Sequence, residues 1–423
     1  MLKTTWLSQL KMKLFSYSSK GLQGKQSLRC ITLLSLLAFS CNASAELPKQ
    51  QYTADTLATG LNSPWSMVKL PNNTWLVTER DGHIVIIKNN QQTRVKLDFE
   101  GLYVAGQGGL LDIVLSPNYS ESKEIIFTYA QGELDANRLV IAKATFDGAQ
   151  FSTPKIIYKV ATDKDTPQHY SGRALVLPDN TLLFSSGDGF DYREQAQVMT
   201  SQLGKTLRIN LNGTIPNDNP FINHKNPAAH AVYSLGHRNL QGLVYDYDTQ
   251  QIVSHEHGPA GGDELNYLTP STNYGWPVIT NGDDYSQARI SPFREYPGMA
   301  KPTVDWTPSI APSGMAYYGS KHLAFPSLQQ HVLITTLVDK KLYSVNLANG
   351  ELTQTHVLPE VTGRLRDVFV TTEGNIAVLT DGKDAKVAAD NAKVISLTRS
   401  FNTTVSKYST SFLYDYQVLF FAV

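Results

Sequence analysis

The chain has 423 residues, with 37 basic and 37 acidic side chains and only 17% charged residues in all. Balanced charge gives no global field for nucleic acid or an anionic membrane, so any anion site must be assembled locally. Plentiful Tyr (21), Gly (29) and Pro (20) suit many short strands and turns better than long solvated helices.

The first element is a leader. Lys3, Lys11, Lys13, Lys20, Lys25 and Arg29 precede an apolar run from Ile31 to Phe39, and Ala43-Ser44-Ala45 follows. Basic residues, apolar run and small-residue site in that order read as a secretory signal over residues 1–45, with Met12 an alternative start. The run is shorter than the roughly 20 residues needed to cross a bilayer. The mature chain is therefore expected to be exported, periplasmic or secreted, and not membrane-spanning. Ala38-Phe39-Ser40 before Cys41 makes a poor lipoprotein signal. Cys30 and Cys41 are the two cysteines. Cleavage after Ala45 would remove both, and with them any disulfide or thiolate metal site.

Beyond the leader, one pattern recurs: an apolar strand, a turn of Pro, Asn, Asp or Gly, and a second apolar strand. It runs over residues 65–77, 109–129, 173–185, 242–254, 314–336 and 366–379. Six such hairpins mark a repeat architecture. The expectation is an all-β, six-bladed β-propeller with four-stranded antiparallel blades over residues 50–398. Radial packing lets each blade cover the next and leaves only short edges. A β-sandwich with a second domain is the alternative. The tail over 399–423 ends in an apolar, aromatic stretch from Tyr414 to Val423, to which the sequence gives no role.

Loops at one end of a propeller converge, so distant residues can share a site. In chain order, Gly106-Gln107-Gly108-Gly109 allows close backbone approach. It lacks the Lys and Ser/Thr of a phosphate loop. His169, just before the third hairpin, can act as a base near neutral pH, and Asp188, after that hairpin, can orient it. Taken alone, a single His is more often a hydrogen-bonding core or surface residue. Next come Gly236 to Gly242, with His237, Arg238, Asn239 and Gln241, and then His255 to Asn266. Gly258-Pro259 offers main-chain carbonyls of the kind calcium favours. An ordinary turn is the plainer reading, and His255 with His257 leaves zinc as a weaker one. Arg364 and Arg366 alternate along one strand and so share a face. That arrangement calls for an anion or carboxylates, and Asp381 is one candidate.

As a set, GQGGLL, HYSGR, GHRNLQG, EHGPAGGDE, NYGWP, APSGMAYY, RLRDV and VLTDG resemble the soluble quinone-dependent aldose sugar dehydrogenases and glucose dehydrogenases. The resemblance implies a propeller holding pyrroloquinoline quinone (PQQ) with Ca2+ and acting on an aldose sugar, with an unknown electron acceptor. It implies that His169 takes the anomeric hydroxyl proton while hydride passes to the quinone C5, giving a lactone. Asp188 would support His169, and Gln107 would contact substrate or quinone. Arg238, Asn239, Gln241, Arg364, Arg366 and Asp381 would surround the cofactor. Gly258 and Pro259 would ligate the quinone-bound calcium, and Glu264 and Tyr274 a second calcium. The family's cofactor-binding Lys falls at Val338 here, which leaves Lys340 as the nearest substitute. Val338 favours the alternative, a non-catalytic propeller that binds a sugar or protein. The joint presence of His169, Arg364 and Arg366 favours the enzyme. A calcium-dependent lactonase would need Glu, Asn and Asp side chains on the axis.

Overall fold

The computed structural model describes residues 52–347, 355–356, 361, 363–382 and 392–399. The expected leader with Cys41, and the tail past Arg399, lie outside them.

The chain enters through β1 (Tyr52–Leu61). Five sheets then form from consecutive strands. The first holds β2 (Pro64–Lys69), β3 (Trp75–Glu79), β4 (His83–Lys88) and β5 (Gln91–Lys96). The second holds β6 (Leu110–Leu115), β7 (Glu124–Glu133), β8 (Ala136–Thr145) and β9 (Lys155–Lys159). The third holds β10 (Ser171–Val176), β11 (Thr181–Ser186), β12 (Lys205–Asn210) and β13 (Val232–Leu235). The fourth holds β14 (Leu240–Asp246), β15 (Gln251–Glu256), β16 (Asp263–Leu268) and β17 (Val304–Trp306). The fifth holds β18 (Pro312–Tyr318), β19 (His331–Thr336), β20 (Leu342–Asn346) and β21 (Thr355–His356). The sixth sheet takes β22 (Leu365–Val370), β23 (Ile376–Thr380) and β24 (Ala392–Arg399), and is completed by β1, in the order β1-β24-β23-β22. All pairings between these strands are antiparallel. Among the described residues α-helix is confined to Tyr119–Ser122.

The first strands of the six sheets touch in a closed cycle, β2, β6, β10, β14, β18, β22 and back to β2. The fold is therefore a six-bladed β-propeller, as the hairpins predicted. Its core is divided. Each pair of adjacent blades encloses its own apolar cluster, six in all, such as Val68, Leu76, Leu110 and Phe127 between the first two blades. Each fully buried Leu or Ile there stabilises the fold by about 1.5–3 kcal/mol. This explains the sequence pattern. Inner strands are covered on both faces and read as unbroken apolar runs, as in β11. The outer strand β5, Gln91–Lys96, is almost wholly exposed and polar. The ring is closed by β1 pairing with β24 from Tyr52–Arg399 to Leu61–Ala392, so N- and C-terminal chain share one blade.

Every inner strand carries a register shift at the same height, between Pro64 and Met67, Leu110 and Ile113, Ser171 and Ala174, Leu240 and Gly242, Pro312 and Met315, and Leu365 and Asp367. A bulge turns an extra residue out of the ladder and re-aims it. The re-aimed carbonyls are collected by the preceding blade: Thr78 donates to Leu111 (2.7 Å), Thr128 to Gly172 (2.6 Å) and Ser185 to Leu240 (3.3 Å). At this level Arg173 from the third blade reaches the other five. It donates to the Gln241 carbonyl (2.7 Å), the Ser66 hydroxyl (3.4 Å), Asp112 (3.2 Å) and the Ser313 carbonyl (3.4 Å), and pairs with Asp367 at 3.1 Å. Its guanidinium also stacks 4.2 Å from the Trp65 ring centroid.

Candidate active site

On the other side of that hub, strand ends and loops form a wall of polar side chains around a cavity of about 220 Å³. His169 precedes β10 and is only 4% exposed. His169 and Ser171 both sit at positive φ, 48° and 56°, a sparsely populated backbone state that clusters at functional sites. Gly187 is required beside them, because a Cβ there would lie 2.1 Å from the His169 carbonyl oxygen.

The His169 ring is oriented by Asp188. Nδ1 lies 2.7 Å from Asp188 Oδ1, and Asp188 Oδ2 accepts from Trp276 Nε1 at 2.8 Å. The same Oδ1 accepts from the Phe190 amide at 2.9 Å, and the Asp188 amide donates to the Arg238 carbonyl at 2.8 Å. Gln107 accepts from the His169 amide at 2.9 Å and donates its own amide to Pro167. Asn239 accepts from the Ser171 amide at 3.2 Å, and Gln241 donates to Asn239 at 3.2 Å. Two hydrogen-bonded groups thus lie side by side across three blades, Gln107–His169–Asp188 and Ser171–Asn239–Gln241. Burial pushes the His169 imidazole below its ordinary value. The Asp188 carboxylate opposes this, while Arg238 and Lys164 reinforce it. A neutral imidazole held by a buried carboxylate is the state a general base requires.

His169 and Asp188 are not among the cavity's lining residues, but Gln107, Tyr170 and Ser171 beside them are, together with a cluster of guanidiniums. Arg366 pairs with Asp381 at 2.7 Å and Arg364 with the same carboxylate oxygen at 3.2 Å. Arg364 also donates to the Leu337 carbonyl at 3.4 Å. Burial alone would raise the Asp381 carboxyl, but Arg366 and Arg364 hold it below its ordinary value. Arg80 is a third member that the sequence reading missed. It lines the cavity and donates to the Gly106 carbonyl at 2.6 Å and the Gly108 carbonyl at 2.9 Å. Burial and then Arg366 lower its pKa. Its signal lay in the polar Glu79-Arg80-Asp81 end of the first hairpin. Trp65, Tyr170 and Leu337 complete the apolar part of the wall. Lys340 sits in the β19–β20 turn at φ 59° and is not one of the cavity's lining residues. Val338 is 61% exposed.

Arg238 is not among the lining of this cavity and instead lines a second one of about 150 Å³, with Phe190, Pro259, Trp276 and Tyr285 among others. Its Nη1 donates to the Gly258 carbonyl at 2.7 Å and the His257 carbonyl at 3.2 Å. Gly258 leaves no room for a side chain, since a Cβ would fall 2.2 Å from the Gly261 carbonyl oxygen. Its amide donates to Asp263 at 2.9 Å, and Asp263 accepts from Ser309, Ile310 and Ala311 at 2.6, 2.9 and 2.9 Å. The Gly258-Pro259 turn is therefore fixed from behind by a buried carboxylate. His255 and His257 each bond a different main-chain carbonyl, Gly314 at 3.4 Å and Pro312 at 2.7 Å, so they do not converge on one metal. Burial pushes His257 down to about 4.

Glu264 stands opposite Glu256 and Asp305 in the ladder. Burial and the Glu256 charge raise its carboxyl well above the ordinary range. Tyr274 approaches the same carboxylates indirectly. Its ring stacks on His237 at 4.9 Å, and His237 Nδ1 meets Glu256 at 3.0 Å. The Tyr274 hydroxyl donates to the Tyr267 carbonyl (2.6 Å) and accepts from the Thr269 amide (2.9 Å).

A family profile described as glucose / sorbosone dehydrogenase matches residues 61–389. An uncharacterized protein of Synechocystis sp. is 38% identical over 348 residues, covering 78% of this chain and 84% of its own length. The aldose sugar dehydrogenase YliI of Escherichia coli is 31% identical over 348 residues, covering 80% of this chain and 93% of its own. Among solved structures, the PQQ-bound aldose sugar dehydrogenase of Streptomyces coelicolor superposes with a TM-score of 0.66 at 28% identity, covering 84% of this chain and all of that one.

Proposed function

The chain belongs to the glucose/sorbosone dehydrogenase family, and from that membership we propose that it is a PQQ- and calcium-dependent dehydrogenase oxidising aldose sugars to lactones, with His169 as general base. The observation that carries the reading is the charge imbalance at the cavity. Three guanidiniums, Arg80, Arg364 and Arg366, line the cavity with the single carboxylate Asp381, which pairs with Arg364 and Arg366 while Arg80 bonds only main-chain carbonyls, and the buried Arg366 Nε has no hydrogen-bond partner. Unpaired buried donors of this kind are costly, and a planar tricarboxylate such as PQQ offers the missing acceptors. These residues fit that group.

When bound, PQQ would supply the two-electron acceptor and calcium would polarise its reacting carbonyl. Arg364, Arg366 and Arg80 would hold the carboxylates, with Asn239 and Gln241 beside them. The Gly258 and Pro259 carbonyls would hold the metal. Both are neutral donors, so the metal's charge must be answered by the cofactor. Because Gly258 O accepts from Arg238 in this structure, calcium and Arg238 share one acceptor, which couples metal binding to the position of that guanidinium. His169 Nε2 would take the anomeric proton, and Asp188 would keep the Nδ1 proton in place and stabilise the imidazolium. Export through the 1–45 leader belongs to the same proposal. Among the described residues no helix is long and apolar enough to cross a membrane.

Reconstitution with PQQ and calcium should give dye-reducing activity with an aldose such as glucose. Tight quinone binding without oxidation of any aldose in a broad panel would instead support a binding protein, the reading that Val338 favours. His169→Ala should lower turnover about 10²–10⁴-fold, the range for a lost general base, while quinone binding persists. Near-normal turnover in that variant would remove His169 from the role.

A further inference from the structure

Behind the His169–Asp188 pair lies a lysine that neither the sequence motifs nor the cavity wall includes. Lys164 is 3% exposed. Its ammonium donates to Asn137 Oδ1 at 3.0 Å and to the Thr166 carbonyl, and its third direction faces the Tyr170 ring, 3.5 Å from the centroid. Tyr170 is anchored to the same Asn137 oxygen at 2.5 Å. Lys164 and Asn137 also exchange both main-chain hydrogen bonds. Across the lysine stem lies Gly189, next to Asp188, where a Cβ would fall 2.8 Å from Lys164 Cδ. The Thr166 hydroxyl donates to the Gly189 carbonyl at 2.5 Å. One buried side chain therefore packs against the residue after His169 and the residue after Asp188.

We propose that Lys164 is a positioning residue for the proposed base, a buried cation that holds the His169 and Asp188 loops against each other and opposes a positive charge on the imidazole. This rests on the dehydrogenase reading only for its kinetic test. Lys164 makes no contact with a carboxylate. Its three directions are filled by an amide oxygen, a carbonyl and an aromatic face, so its charge is balanced only at a distance. The charged and titratable groups around it are Asp188 on the Gly187–Gly189 turn, Asp165 on its own segment (held by the Tyr192 hydroxyl at 2.7 Å), His169, and Tyr170 on the β10 entry, with Arg238 beyond His169. Burial, only partly offset by Asp188 and Asp165, brings the ammonium down to about 7. On the acid side of neutrality it is a cation. There it opposes an imidazolium at His169, which Asp188 alone would stabilise.

The test is a titration of the His169 ring by NMR in the full cofactor-free chain, assigned with His169→Gln. It is paired with the pH profile of kcat/KM for glucose in the quinone-loaded enzyme. In the unsubstituted protein the ring should report a second, smaller inflection near pH 7 as Lys164 discharges, and Lys164→Arg should abolish it. Lys164→Met should move the ring titration and the acid limb of the profile to higher pH by about one unit, the scale of one nearby charge. Lys164→Arg should leave the acid limb in place. A ring titration with one inflection that does not move in Lys164→Met overturns the proposal. So does a loss of activity that is uniform across pH. Should Lys164→Met fail to fold, the second inflection and its absence in Lys164→Arg still decide the matter. If no sugar is oxidised, the dehydrogenase reading fails while the ring titration still tests Lys164.

Discussion

The waist of the channel and its mouth are built from the same chemistry, arginine against aspartate, with opposite balance. At the waist one guanidinium, Arg173, stands between two carboxylates, Asp112 and Asp367, and every one of its nitrogens is taken. At the mouth three guanidiniums line a cavity with one carboxylate, which pairs with two of them, and a buried Arg366 nitrogen is left over. A satisfied buried network rigidifies and specifies a fold, whereas a partly satisfied one is costly unless something completes it. The waist is structure. The mouth is structure with a deficit that an anionic ligand can fill.

Three measurements can break or sharpen this contrast. The largest effect belongs to Arg173→Met. It strands two buried carboxylates and should cost about 3–5 kcal/mol of unfolding free energy, read by chemical denaturation. A loss under about 1 kcal/mol would mean that the hub is dispensable.

The second concerns Asp367, whose carboxyl is pushed up to about 6 from 3.8, chiefly by burial and by Asp112 against the pull of Arg173. A carboxyl whose folded value lies above its unfolded value binds protons more tightly in the native state. Its contribution is fully present below about pH 4 and is lost as pH rises through about 6, on the order of 3 kcal/mol. The stability of Asp367→Asn should show a smaller decline across that window than the parent. An identical pH slope in both would remove Asp367 as its source.

The smallest is Arg366→Ala. With Arg80 and Arg364 still present, quinone affinity should fall about tenfold, near the 1.5 kcal/mol end of a charged hydrogen bond, as read by quinone titration. The stability of the cofactor-free chain should fall by less than in Arg173→Met, because Arg364 still pairs with Asp381. If Arg366→Ala destabilises the empty chain as strongly as Arg173→Met does, the distinction between waist and mouth disappears.

The six hairpins were legible because the two inner strands of a blade are buried on both faces. Leu182, Leu183 and Phe184 in β11 are wholly buried. The outer strands were not, because an exposed edge such as Gln91–Lys96 carries no apolar signal, and because β1 closes the ring through a partner at the far end of the chain. The site divided in the same way. His169, Arg238, Arg364 and Arg366 stood out as functional side chains at strand entries. Arg80 was overlooked because its turn, Arg80-Asp81-Gly82, reads as an ordinary hairpin. Lys164 was overlooked because a Lys between two Asp residues looks solvated. The axial trio had a readable signal that went unused: Asp112, Arg173 and Asp367 are charges embedded in otherwise apolar inner strands, and such residues are rarely buried unless paired.

The bulge that recurs near the start of every inner strand turns the propeller into a turret with six numbered sockets, all opening on one axis. Filling one socket constrains the others. A cation in the third is answered by acids in the second and sixth, from parts of the chain that share no local contact. Variation in such a protein should therefore move in concerted sets, and a graft of one blade from a relative should succeed only when its socket residue agrees with the five it meets.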